Sequence, residues 1–304
     1  MNAPKKIPRR LIDGVLLLDK PLGLSSNDAL MRAKRLFSAK KAGHTGTLDP
    51  LATGLLPLCF GEATKFSQDL LEADKTYEAT LKLGARTTTG DAEGEVVEAR
   101  AVECDAAAVA AIFDRFRGEI LQVPPMYSAL KRDGKPLYEY ARAGQTLERE
   151  ARAVTIHRLE LLDCTLPFAT IRVTCSKGTY VRTLGEDIGE ALGCGAHLTM
   201  LRRTGVGALT LDGAVTLEQI DAMPVDARDA VLAPVDALLS TFERIDLDAE
   251  QTRRFLHGQK LRVRERSASD PERVRVYSSE SHLLGTARLQ DGVIAPERLI
   301  ASAA

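Results

Sequence analysis

Between Gly43 and Gly54 the chain reads G-H-T-G-T-L-D-P-L-A-T-G, and Asp49 is the single acid in that stretch. Glycines let a backbone take positive φ and let a substrate approach closely. Pro50 fixes its own φ and steers Asp49 away from helical geometry. A backbone-rich loop presenting one carboxylate can mount a nucleophile. The same residue types also build ordinary structure: Asp-Pro starts turns, and Gly/Thr clusters form plain loops.

The elements around this loop can be read from periodicity. Gly14 to Asp19 is a short apolar run with strand character, and Ser25 to Phe37 reads as a helix. Ser25 with Asp28 makes its start, and Leu30, Ala33 and Phe37 share one face. After the loop, Leu55 to Phe60 reads as a buried strand and Glu62 to Leu71 as a helix. Thr76 to Leu83 alternates like a strand, with Glu95 to Ala99 as its expected hairpin partner across the polar loop G-A-R-T-T-T-G-D-A-E-G. Asp105 to Phe116 is helical in pattern, Val154 to Leu162 and Phe168 to Cys175 alternate as an antiparallel pair, and Tyr180 to Leu192 reads as a helix. Two further helices are expected near Thr216 to Met223 and Ala230 to Leu239. Strands with segregated helices and no regular βαβ alternation predict an α+β fold around a mixed, mostly antiparallel central sheet.

Two regions depart from this pattern. Residues 119–150 are irregular, with Tyr127, Tyr138 and Tyr140 set among Lys131, Arg132, Lys135, Arg142 and Arg149. Such a basic, aromatic excursion can grip RNA by stacking and phosphate contacts, and it also fits a long surface loop. From about residue 246 the chain turns to short basic strands such as R-V-R-E-R and R-V-R-V-Y, so a second unit is expected over 246–304 after a first over 1–245.

The 304 residues, 44% of them hydrophobic, can bury a sizeable core, and no apolar run nears the roughly 18 residues of a membrane span. Cysteines 59, 104, 164, 175 and 194 form no C-x-x-C pair and, being odd in number, read as reduced thiols of a cytoplasmic protein. The net charge of −1 argues mildly against nucleic acid, but its distribution does not. Residues 1–48 carry ten Lys/Arg against three Asp/Glu, and residues 251–304 carry ten against six. Basic ends on an acidic body suit a polyanion laid across a defined surface, and equally suit solvated faces.

Six blocks, in order, give a family resemblance: L-L-L-D-K-P-L-G-L-S-S-N (16–27), G-H-T-G-T-L-D-P-L-A-T-G-L-L-P (43–57), G-E-A-T-K-F (61–66), D-K-T-Y (74–77), S-K-G-T-Y-V-R-T-L (176–184) and A-H-L-T-M-L-R-R-T (196–204). In these the chain resembles the bacterial tRNA pseudouridine synthases of the TruB type over nearly its whole length. The resemblance implies isomerisation of uridine 55 in the T loop of tRNA, with a flipped base, on a pseudouridine synthase fold followed by a small β-barrel of the PUA type. It implies an RNA-clamping insertion at about 119–150, a tRNA T-arm substrate, and a cytoplasmic monomer needing no protein partner.

By the same resemblance Asp49 is the nucleophile, Arg182 its charge partner, and Tyr77 the aromatic that stacks on uracil and takes the C5 proton. Tyr180 and Leu201 line the pocket, and His44 contacts the everted nucleotide. Lys20 and Lys177 are expected to give electrostatic support or touch phosphate, and Asp91 matches a family position without a role that physics assigns. Thr47 and Gly90 stand where many relatives carry other small or polar residues. The reaction breaks N1–C1′ and rejoins the base through C5, so no atom enters or leaves and no cofactor or metal is needed. The five histidines show no metal-ligand spacing, and no Walker A or G-x-G-x-x-G motif is present. A catalytically silent RNA binder would not need Asp49, Tyr77 and Arg182 together, and a glycoside hydrolase would call for a second acid. A guide-directed isomerase would have less use for the tyrosine-bearing excursion.

Overall fold

The computed structural model describes residues 8–265 and 272–300. Its centre is a ten-stranded sheet whose main path runs Leu232–Ala233, Gly14–Lys20, Ala52–Phe60, Ala196–Val206, Lys75–Leu83, Phe168–Cys175, Arg152–Thr165, Gly118–Gln122. Neighbours on this path pair antiparallel except Ala52–Phe60 with Ala196–Val206, which join in parallel over Leu201↔Ala52, Arg202↔Thr53 and Arg203↔Gly54. That parallel join is where the Asp49 loop enters the sheet.

The inner strands read as unbroken apolar runs because both faces are covered. Leu16, Leu18, Leu56, Leu58 and Phe60 pack under the helices Ser26–Leu36 and Val181–Ala191. Val15, Leu55 and Cys59 face the other way, against Phe66, Leu70, Leu238 and Leu239. The outer strands alternate: Ala169, Ile171, Val173 and Cys175 are buried. On the opposite face Thr170 meets Thr80, Thr174 meets Thr76, and Arg172 pairs with Glu78 across the strand boundary.

Several expected elements are redrawn. Val96–Ala99 pairs with Ala85–Thr87, not with Lys75–Leu83, whose neighbours are the strands at Phe168–Cys175 and Ala196–Val206. Gly84, at φ 89°, ends the buried run and turns the chain out. The segment expected as one helix over Glu62–Leu71 is a 3₁₀ turn, Gly61–Phe66, followed by the α-helix Ser67–Glu72. Ala230–Leu239 splits into two 3₁₀ turns about Leu232–Ala233, because Pro234 cannot continue a helix. Residues 118–122 are not irregular: they form the sheet's outermost strand, paired with Arg152–Ile156. The excursion proper therefore lies beyond Gln122, with a small hairpin, Lys131–Arg132 with Lys135–Pro136, and the short helix Leu137–Arg142.

A second sheet of five strands follows, in the order Glu243–Leu247, Arg273–Ser278, Leu283–Gln290, Val293–Leu299, Leu261–Arg262. It curls round its own core of Phe255, Val274, Val276, Leu289 and Ile294 as a half-barrel of the PUA kind. Its first strand crosses residue 246, so the sheet begins at Glu243. Of the expected strand R-V-R-E-R only the start pairs, and Arg266 lies outside the described residues. Asp69, almost wholly buried, binds the half-barrel to the larger unit by accepting from Arg273 and, at 2.8 Å, from Arg298.

Candidate active site

The Asp49 loop is shaped by its neighbours rather than by its own side chains. Ser26, the first residue of its helix, donates through Oγ to the Leu48 carbonyl at 3.1 Å and accepts from the Leu48 amide at 2.7 Å. Gly23 donates to the Pro50 carbonyl and Ala52 to that of Asp49, which closes the turn. Gly46 and Gly54 take φ of 99° and 96°, a region that side chains rarely enter. The loop thus carries Asp49, half-exposed, to the rim of the core, with Leu48 anchored beneath.

Arg182 projects from the first turn of the helix Val181–Ala191 and is buried. One of its nitrogens, Nη2, lies 2.9 Å from Asp49 Oδ2 and donates to the Tyr127 carbonyl at 2.6 Å. The other, Nη1, donates to the Thr89 carbonyl at 2.9 Å and stands 3.6 Å from Asp91 Oδ2. Asp91 is itself held by the Thr89 hydroxyl and by the Glu93 amide, 3.1 Å from Oδ1. One guanidinium therefore joins the acid loop, the polar loop after Gly84 and the start of the basic excursion. Burial pushes the Asp49 carboxyl above its ordinary range, Arg182 opposes that, and the negative Asp91 adds to it.

Tyr77 lies near the start of its strand on the core face, directly opposite Arg203. Burial holds its phenol above the usual range, while Arg203 acts to lower it through charge and a hydrogen bond. The ring is thus a neutral stacking surface at pH 7. Tyr180 caps the Arg182 helix, and Gln122 brackets it, accepting from its amide at 3.1 Å and donating to its carbonyl at 3.3 Å. Burial raises its phenol too. Leu201, in the parallel join, has Ala52 on one side and Ala79 on the other. His44 is half-buried with Nδ1 unpartnered, and burial together with Arg203 keeps it below its ordinary pKa.

The two lysines part company. Lys20 is fully buried, and its ammonium donates to the carbonyls of Pro21 at 2.9 Å and Leu24 at 2.6 Å. Desolvation lowers its pKa to about 8 against the pull of Asp49. It can support charge at the site, and it is closed to phosphate. Lys177 is exposed, pairs with Glu72, and is not gathered with the groups round Asp49.

The structure adds Arg203 and Gln122, which the motifs did not single out. Arg203 is among the largest fully buried side chains; its Nε donates to the Leu55 carbonyl at 2.7 Å and its Nη2 reaches toward that of Gly46 at 3.5 Å. A signal was present: alternation from Leu201 puts Arg203 on the same face, so a cation had to point inward. Gln122 carried no such signal, because its partner is backbone 58 residues away.

Three family models cover this architecture. One described as TruB family pseudouridylate synthase (N terminal domain) matches residues 34–181, the tRNA pseudouridylate synthase B C-terminal domain matches 182–240, and pseudouridine synthase II TruB, C-terminal, matches 244–300. A protein named tRNA pseudouridine synthase B from Burkholderia mallei (strain ATCC 23344) is 72% identical over 303 residues, 98% of this chain and 97% of its own. The chain belongs to the TruB family of pseudouridylate synthases. Another member of that name, from Cupriavidus pinatubonensis (strain JMP 134 / LMG 1197), is 67% identical and is covered to 98%, as is this chain. Among solved structures, a chain of a Cbf5-Nop10-Gar1 complex superposes with a TM-score of 0.70 at 25% identity, covering 91% of this TruB-family chain and 78% of its own. A chain of an H/ACA RNP bound to a substrate RNA containing 2′-deoxyuridine shares the fold, with a TM-score of 0.73 at 22% identity over 95% of this chain and 85% of that one.

Proposed function

We propose that this protein isomerises uridine to pseudouridine at position 55 in the T loop of tRNA, with Asp49 as the acting carboxylate. The observation that carries the reading is the 2.9 Å contact between Arg182 and Asp49, with the phenols of Tyr77 and Tyr180 near enough to feel the charge of Asp49. A buried guanidinium keeps an acid ionised where desolvation would protonate it, and an ionised acid is what the sugar or base must meet. Attack at C1′, addition at C6 and removal of the 2′ hydrogen all start from that carboxylate. The uracil, once out of the RNA stack, regains roughly 1–3 kcal/mol for each aromatic ring it stacks on, which helps offset unstacking. N1–C1′ then breaks, C5–C1′ forms, and the C5 proton leaves while N1 gains one, so the atoms balance within the nucleotide and solvent. In this reading Tyr77 guides that proton.

In this reading the excursion after Gln122 clamps RNA, the half-barrel from Glu243 binds it, and the enzyme works alone, as a monomer, in the cytoplasm. Cation–π pairs of Lys135 with Tyr140 and Arg142 with Tyr138 give the excursion both phosphate-binding charge and stacking rings. Five unpaired cysteines fit a reducing compartment. Tritium release from C5-labelled uridine in a tRNA transcript tests the assignment. Asp49→Ala should give none while tRNA affinity stays within about 1 kcal/mol, since a carboxylate repels phosphate. Release at the wild-type rate by that variant would remove Asp49 from the reaction.

A further inference from the structure

A cleft of about 370 Å³ opens far from Asp49, at the C-terminal end of the helix Ser26–Leu36, lined by Arg9, Met31, Lys34, Arg35, Ser38 and Ala39. It is built by the incoming chain: Arg10 donates its amide to the Ser38 carbonyl at 2.7 Å, and Lys40 donates to that of Arg10 at 2.9 Å. This stitches residues 9–10 beside the helix end, and the ion pair of Arg10 with Asp229 fixes the stitch from outside.

The charges round the cleft differ from those of the ion-paired sheet. Most arginines of the molecule, such as Arg100, Arg172, Arg202 and Arg273, face carboxylates. Among the described residues, none of Arg9, Arg32, Lys34, Arg35, Lys40 and Lys41 has a carboxylate partner. Arg9, Lys34 and Arg35 line the cleft, and Arg32, Lys40 and Lys41 lie close to them in sequence, so positive charge is concentrated at this helix end with no carboxylate among the described residues paired to offset it. Their hydrated ammonium and guanidinium heads suit a phosphate backbone, which gains affinity by releasing its own counterions.

The place of the patch says which phosphates. The same helix whose first residue, Ser26, holds the Asp49 loop ends in this cleft at Leu36, ten positions on and about 15 Å away along its axis. The excursion whose Tyr127 carbonyl meets Arg182, the partner of Asp49, springs from the opposite edge of the sheet, at Gly118–Gln122. RNA gripped between that excursion and Asp49 leaves the helix-end cleft on its far flank.

We propose that this cleft and its open cations form a second RNA-backbone site, which takes phosphates of the tRNA body outside the T arm. The proposal rests on the reading of the protein as a tRNA-modifying enzyme. It separates two substrates: full tRNA uses the cleft, and an isolated T-arm hairpin does not.

The test compares binding of both RNAs by the triple variant Arg9→Gln, Lys34→Gln, Arg35→Gln, using fluorescence anisotropy over a salt series. Full tRNA should bind roughly tenfold or more weakly near 0.1 M salt, and the slope of log K against log salt should fall by about 2 to 3, the loss of three phosphate contacts. Hairpin affinity and single-turnover conversion at saturating enzyme should stay within twofold of wild type, which also shows that the variant is folded. Equal weakening on hairpin and full tRNA, or no change on either, would overturn the second site. A wild-type enzyme that bound both RNAs but converted neither would strike the proposed activity and leave this binding comparison intact.

Discussion

Asp91 stands 3.6 Å from Arg182, on the guanidinium nitrogen opposite the one that meets Asp49. Two carboxylates thus share one cation. Asp91 is almost fully buried and held by Thr89 and the Glu93 amide, so it is the fixed member; Asp49, on the rim, is the more exposed one. Asp91 aims Arg182 and at the same time opposes the ionisation of Asp49.

These opposed effects predict the pH profile. The Asp49 carboxyl is raised, and the proposed reaction uses its ionised form, so the acid limb of the single-turnover rate should lie above the range of an ordinary aspartate. Asp91→Asn removes a neighbouring negative charge and keeps the shape, so the limb should move to lower pH while the plateau drops as Arg182 loses its guide. A limb that stays in place in this variant would mean that Asp91 and Asp49 do not interact.

Arg182→Met predicts the opposite sign. With its main counter-charge gone Asp49 protonates more readily, and the acid limb should move to higher pH with a plateau lower by about 10²-fold or more. Arg182→Lys should recover little, because one ammonium cannot serve Asp49, Asp91 and the carbonyls of Thr89 and Tyr127 together. Rate against pH for the two variants decides between a charge role and a wholly structural one.

Much of the candidate site is legible in the sequence. Asp49, Tyr77, Arg182 and Leu201 sit in motifs, whose residue types and spacing can be read locally. What escaped acts across the sheet. Arg203 lies in a recognised block, yet nothing local shows that its guanidinium serves carbonyls of a strand joined in parallel from 148 positions away. The partner of Lys75–Leu83 is hidden for the same reason: the near, weakly apolar Val96–Ala99 offers a hairpin, while the pairing that buries Ala79 and Leu81 lies about a hundred residues on. The fate of Lys20 was likewise invisible, since its burial depends on the packing of Pro21 and Leu24 round it.

Lys20 sets an expectation for the alkaline side. Its pKa is lowered to about 8, so its charge is present below that value and lost as pH rises through it, and with the charge goes a support of Asp49. Activity should fall along a limb near pH 8 that is missing from Lys20→Met, whose plateau is lower throughout. For folding the sign is reversed: the unfolded chain binds the proton more tightly, so this lysine opposes folding below about 8 and the penalty fades toward its unfolded pKa. Lys75, also lowered to about 8, points at the carbonyls of Leu70, Leu71 and Ala73, and Lys75→Met should keep the alkaline limb.

Gly54 is where the strands that carry Lys20 and Arg203 meet, with Lys20 across from it on one side and Arg203 on the other. A Cβ there would lie 2.2 Å from the Arg203 carbonyl oxygen, and the φ of 96° is itself hostile to a side chain. The join must open or the backbone must twist, so Gly54→Ala should cost about 2 to 5 kcal/mol of stability. Urea unfolding should show a lower midpoint with an unchanged slope, as expected for a strained native state rather than an altered unfolded one. In the surviving folded fraction Arg203 is pushed off the Leu55 and Gly46 carbonyls, so the rate should fall further than the midpoint alone accounts for. A variant with wild-type midpoint and rate would show that the close approach at the parallel join is not needed to hold the site.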